Sequence, residues 1–164
     1  METTFFMIKP DGMYHPEIFE RLATPSELDG LVIGRIAYIT ATRELLEKHY
    51  AHIADKPFFD DIVEYMTSSP ILVGTLTGEN AVSKWRNIIG ATDPRNAETG
   101  TIRAQYGLVI DTMMYNAVHG SDSVENANKE INLWLESDVD VESKSLIKSE
   151  TNVKSDNTEA TTDE

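Results

Sequence analysis

The chain has 164 residues, 40% of them hydrophobic, a formal net charge of −14 and no cysteine. That length suits a single domain with one sizeable core, and the missing cysteines exclude disulfide frameworks, thiolate zinc sites and cysteine nucleophiles. The acidic balance argues against nucleic acid or an anionic membrane as partner, because phosphate-bearing surfaces demand a basic face.

The first twelve residues, METTFFMIKPDG, lack a basic segment followed by a long apolar one, and no later run approaches bilayer-spanning length. A soluble, cytoplasmic protein is the expectation. Residues 3–8, TTFFMI, are β-branched and aromatic and read as a strand. Lys9 ends it, and Pro10, Asp11 and Gly12 turn the chain at once. A cation pinned at a strand end can meet a phosphate; the same lysine is also an ordinary turn residue.

Helical spacing of apolar residues marks 16–23, 43–53, 58–66 and 79–89, while 30–40 and 70–77 read as further strands. Two helices in a row separate the second strand from the third, which favours an α+β sandwich over a doubly wound sheet. Residues 90–103, GATDPRNAETGTIR, carry turn formers without periodicity and read as a loop of functional length. Arg86, Thr92 and Arg103 could form a cationic cradle around it, although each arginine alone is equally a surface charge. A fourth strand falls within 105–119.

After His119 the run GSDSVE offers Asp122 or Ser123 as an N-cap, and a helix follows with Val124, Ala127, Ile131, Trp134 and Leu135 on one face. Glu130 lies at the edge of that stripe, turned back toward His119. A carboxylate on one imidazole nitrogen fixes the tautomer and frees the other lone pair, as a nucleophilic histidine requires. Ser121 could hydrogen-bond whatever the ring attacks. Capping and packing account for the same local residues.

From Glu136 onward nine acids face three lysines, leaving 19 acids and 11 basic residues before it. Residues 138–164 hold no aromatic side chain and too little apolar surface to offset the entropy of ordering, so the expected organisation is a domain over 1–137 and an acidic disordered tail over 138–164. No P-loop, Rossmann glycine pattern or paired-histidine zinc spacing occurs. A bound phosphate would therefore be met mostly by side chains.

The segments FMIKPDG, KHY, KPFF, GATDP, GTIR and NAVHGSDS, in this order, resemble the nucleoside diphosphate kinase family over about residues 3–135. The resemblance implies a ferredoxin-like α/β sandwich with a four-stranded antiparallel sheet covered by helices. It implies a ping-pong transfer of the terminal phosphoryl group from a nucleoside triphosphate to a nucleoside diphosphate through a phosphohistidine. His119 then corresponds to the nucleophile, Glu130 to its orienting partner and Ser121 to a group beside the transferred phosphoryl. Lys9, Tyr50, Arg86, Thr92 and Arg103 correspond to the groups around the phosphates, Asn116 to a contact with sugar and phosphate, and Phe58 to the platform for the base. Mg²⁺ held mainly by the nucleotide phosphates, and assembly into a homo-oligomer, are implied as well. Other roles for such a fold are nucleotide binding without turnover and a phosphohistidine relay to a protein.

The chain departs from the family pattern between Arg103 and Asn116, where AQYGLVIDTMMY has twelve residues against the usual nine. Three residues are thus inserted just before the active histidine. Ile110 or Met113 is the candidate to close over the base.

Overall fold

The computed structural model describes residues 1–136; the tail expected over 138–164 lies outside the described residues. Four strands form the main sheet: β1 (Glu2–Ile8), β2 (Val32–Ile39), β3 (Ile71–Gly78) and a last, short strand at Val118–Gly120. Their order across the sheet is second, third, first, last, with every neighbour antiparallel. This is the ferredoxin-like arrangement.

The helices are α1 (Pro16–Leu22), α2 (Arg43–His49), α3 (Phe59–Met66), α4 (Ala81–Ile89), α5 (Ile102–Tyr106) and α6 (Val124–Leu135). They cover both faces of the sheet. Phe5 and Met7 of β1 pack under α2, α3 and α6, together with Leu46, Phe59 and Trp134. Phe6 and Ile8 face the other way, toward Ile18 of α1 and Trp85 of α4. A strand buried on both faces has no polar side to show, and this is why FFMI is an unbroken apolar run.

The expected helix over 43–53 ends at His49 and continues only as turns. The loop over 90–103 contains a single 3₁₀ turn at Pro94–Asn96 before α5 begins. The extra length before Asn116 forms a hairpin, β4 (Leu108–Ile110) and β5 (Met113–Tyr115), reversed at Asp111 with φ of 54°. Val118–Gly120, hereafter β6, is consequently the strand that completes the sheet. Helix α6 is capped by Ser123, whose Oγ accepts from Asn126 N at 3.1 Å. Val124, placed on the buried face by periodicity, is 45% exposed as the first residue of α6.

Candidate functional site

Chain register delivers His119 to the site. In β6 it pairs opposite Met7, and its neighbour Val118 pairs opposite Ile8. Alternation therefore sends His119 toward the α2 and α6 face, 5.9 Å from the Phe5 ring, while Val118 enters the core on the opposite face. Trp85 Nε1 donates to the His119 carbonyl at 3.1 Å and fixes the backbone behind the imidazole.

His119 Nε2 lies 2.8 Å from Glu130 Oε1. A carboxylate only accepts, so a neutral His119 carries its proton on Nε2 and presents the Nδ1 lone pair. Ser121 is buried and donates to the other carboxylate oxygen of Glu130. Its hydroxyl thus braces the glutamate. Burial pushes the His119 pKa below its ordinary 6.5, against the opposing pull of Glu130, and the nearby Lys9 and Arg103 cations act in the same direction as burial. The ring is neutral at neutral pH.

A second histidine stands against the first. His49, at the end of α2, accepts the Trp134 indole N–H on Nδ1 at 3.0 Å and meets the His119 ring edge-on at 4.7 Å between centroids. Burial, with the His119 and Lys9 charges, holds its pKa well below 6.5. It is a neutral wedge that brings no competing charge to Glu130. Donor atoms of His49, His119 and Glu130 lie within 4.8 Å of one another, a spacing a metal could bridge. The indole already occupies Nδ1 of His49, and Glu130 occupies Nε2 of His119. The trio is built as a hydrogen-bonded support for the imidazole.

His119 opens into a cavity of about 580 Å³, within the range that holds a nucleotide-sized ligand. Eight of the ten residues singled out by sequence line it: Lys9, Tyr50, Arg86, Thr92, Arg103, Asn116, His119 and Glu130. Ser121 and Phe58 do not. Phe58 stands 50% exposed at the start of α3. Lys48, His49 and Lys129 are lining residues that sequence reasoning did not single out, and Asp122, read there only as a candidate cap, lines the cavity too. His49 had a signal, since a histidine falls on the apolar beat of α2 beside Leu45 and Leu46.

The polar groups of the cavity are cross-tied. Lys9 Nζ donates to Asn116 Oδ1 at 2.7 Å, and Asn116 Nδ2 donates to the Thr92 carbonyl at 2.9 Å. Arg103 spans three carbonyls, those of Gly90 at 3.0 Å, Val118 at 2.8 Å and Asn116 at 3.4 Å. Burial and the neighbouring Arg103 charge bring the Lys9 pKa down to about 8. Burial and Arg86 bring that of Arg103 down to about 10. Burial raises the Tyr50 phenol to about 12, so it stays protonated and able to donate.

Lys9, Arg86 and Arg103 thus share the cavity with the carboxylates of Asp122 and Glu130, while Lys48 and Lys129, also at its wall, pair with Glu44 and Glu125. A chain of net charge −14 has a cationic pocket, and acids farther off than about 8–10 Å are largely screened. At about 4 Å and an effective dielectric near 20, each cation contributes about 4 kcal/mol toward a phosphate before desolvation.

The family model described as nucleoside diphosphate kinase matches residues 2–139. A nucleoside diphosphate kinase of Streptococcus agalactiae serotype V is 41% identical over 140 residues, covering 82% of this chain and 99% of that protein. One from Staphylococcus carnosus is 44% identical over 136 residues, covering 83% and 88%. The crystal structure of the apo nucleoside diphosphate kinase of Encephalitozoon cuniculi superposes with a TM-score of 0.72 at 42% identity, covering 85% of this chain and 92% of that one.

Proposed function

Because the chain belongs to the nucleoside diphosphate kinase family, we propose that it transfers the terminal phosphoryl group of a nucleoside triphosphate to a nucleoside diphosphate through phospho-His119. The single observation that carries this reading is the His119–Glu130 pair at 2.8 Å, opening into a cavity rich in cations. In the first half-reaction the Nδ1 lone pair forms a bond to the terminal phosphorus. The bond from that phosphorus to its bridging oxygen breaks, and the diphosphate leaves with the electron pair. In the second, a terminal oxygen of the acceptor diphosphate attacks the same phosphorus, and the P–N electrons return to Nδ1.

Glu130 holds the proton on Nε2 and stabilises charge that develops on the ring. Lys9, Arg86 and Arg103 neutralise the phosphates, Thr92 and Tyr50 supply hydroxyl donors, and Asn116 orients sugar and phosphate oxygens. Phosphoryl transfer needs such positioning and charge stabilisation more than further covalent chemistry. Phe58 offers a base an exposed ring face. Stacking on a face does not read a base edge, so several bases would be accepted.

Mg²⁺ fits this donor set as an ion held mainly by the nucleotide's own phosphate oxygens, where it supplies charge neutralisation. Glu130 is engaged by His119 and Ser121, leaving Asp122, exposed and hydrogen-bonded to Asn126, as the cavity carboxylate open to it. Incubation with ATP and a second nucleoside diphosphate tests the whole reading. Formation of ADP and the new triphosphate supports it, and no transfer by folded protein with Mg²⁺ sinks it.

A pH profile tests the ring and the lysine separately. The reaction needs neutral His119, whose pKa lies below 6.5, and charged Lys9, whose pKa is about 8. The plot of kcat/KM is therefore expected to fall below an acid limb under pH 6.5 and again above about 8, since this ratio reports the free enzyme. Glu130→Gln is expected to slow transfer about 10- to 100-fold without unfolding the protein. Loss of the carboxylate, which favours the protonated ring, should also move the acid limb to lower pH. An acid limb that does not move would separate Glu130 from His119.

Assembly with further copies of the chain belongs to the same proposal. Val32, Ile36 and Tyr38 are each more than half exposed on β2, an edge strand of the sheet. An apolar edge of this kind fits its own copy. Sedimentation is expected to give a mass above that of one chain, reduced by Ile36→Glu. No helix among the described residues is long and apolar enough to cross a membrane, and action in the cytoplasm completes the proposal.

A further inference from the structure

Ala117 has φ of +67°, although it carries a Cβ and is fully buried. Left-handed backbone is unfavourable for alanine and persists only where its surroundings over-determine it. This residue sits between Asn116 and the strand that presents His119, so its conformation sets where both side chains emerge.

Asp11 supplies the constraint. Its Oδ2 accepts from Ala117 N at 2.9 Å, its Oδ1 accepts from the Tyr65 hydroxyl, and its own N–H donates to the Tyr65 oxygen at 3.2 Å. On the other side Lys9 N donates to the Ala117 carbonyl at 2.8 Å. Gly12 is pressed so close that a Cβ there would stand 2.2 Å from the same carbonyl oxygen. Tyr65 in turn packs edge-on against Tyr115, 5.0 Å between ring centroids, at the end of the inserted hairpin.

We infer that Asp11, held by Tyr65, is a positioning residue that locks Ala117 in its left-handed conformation and thereby aligns Asn116 and His119 for phosphoryl transfer. The inference rests on the phosphoryl-transfer reading. It also assigns the inserted hairpin a place: Tyr115 buttresses the tyrosine that anchors the lock. Burial raises the Asp11 pKa, while the Ala117 hydrogen bond and Lys9 oppose that rise. A charged acceptor for a buried N–H is the strongest tether available at this position.

Asp11→Ala is expected to lower kcat/KM for nucleoside diphosphate about tenfold or more. Ala117→Gly removes the backbone penalty, because glycine enters the left-handed region freely. The double variant Asp11→Ala, Ala117→Gly is therefore expected to recover to within about threefold of the native protein. Asp11→Asn keeps an acceptor for Ala117 N and should also stay within about threefold. A merely destabilising role would lower melting temperature without giving this rescue.

Amide hydrogen exchange at Ala117 reads the tether without reference to catalysis, and should be fast in Asp11→Ala and slow in the native protein. An unaltered kcat/KM in Asp11→Ala, or a double variant no better than it, overturns the inference. Should Asp11→Ala not accumulate folded, Tyr65→Phe with and without Ala117→Gly is read by the same criteria. A native protein that transfers no phosphoryl group refutes the functional reading instead, while protection of Ala117 by Asp11 would still be measurable.

Discussion

His119→Gln is expected to abolish the phosphoenzyme and to lower phosphoryl transfer by roughly four orders of magnitude or more, the scale on which loss of a covalent nucleophile is felt. Glutamine approximates the ring's size and can still donate to Glu130, so the support around position 119 has something to hold. It has no nitrogen lone pair able to take up phosphorus, because its amide nitrogen is conjugated with the carbonyl. The variant should fold, bind nucleotide through Lys9, Arg86 and Arg103, and stop at the bound complex. Labelling with γ-phosphate-labelled ATP, followed by acid treatment, measures the outcome. Acid-labile label on native protein alone is the expected pattern, and equal label on the variant would remove His119 from its role.

Arg103→Met should cost kcat/KM about 10²- to 10³-fold, the usual effect of deleting one preorganised group that meets developing charge. Two losses coincide in this change. The cavity gives up a desolvated cation, and the carbonyls of Gly90, Asn116 and Val118 lose a common donor. Stability should respond less than activity. Keeping a charge buried opposes the fold, as the lowering of its pKa to about 10 records, and this offsets much of what three hydrogen bonds contribute. Arg103→Lys should not restore the rate, since one ammonium cannot reproduce a planar fork reaching three carbonyls. Steady-state kinetics and thermal melts on both variants decide the matter; a lysine variant of native activity would reduce Arg103 to a point charge.

Much of this site could be read from short stretches of sequence because its local geometry is regular. The eleven-residue step from His119 to Glu130 crosses one turn and two turns of helix, and helical periodicity alone brought the carboxylate to the edge that faces back. Lys9 was legible as the residue at which an apolar strand stops. The supports were not. Asp11 meets Tyr65 across 54 positions and Ala117 across 106, and His49 meets Trp134 across 85. Nothing local announces pairs so distant. A tyrosine on α3 and a histidine on α2 each look like half-buried helix residues until the sheet is assembled beneath them.

The inserted stretch was misleading for a different reason. Ile110 and Met113 were candidates to close over a base, and both lie in a hairpin whose register pairs them with each other. Ile110 is 56% exposed. Counting along a chain fixes a residue's distance from a landmark, but two strands paired across a tight turn decide their facing by register. Phe58 poses the same problem: its position at the start of α3 was legible, whereas its relation to the cavity depends on how α3 docks.

His119, the proposed nucleophile, sits on the last strand of the sheet, a place open to invasion. Lys9 N draws the Ala117 carbonyl toward β1, so the backbone groups of Val118, one residue on, point away from the sheet. Such a row is a template on which a foreign strand could grow. Here the guanidinium of Arg103 occupies the Val118 carbonyl, and the Asn116 carbonyl accepts the Val118 N–H at 2.7 Å. The side chain proposed to meet phosphate therefore also occupies backbone groups at this edge that a foreign strand would need.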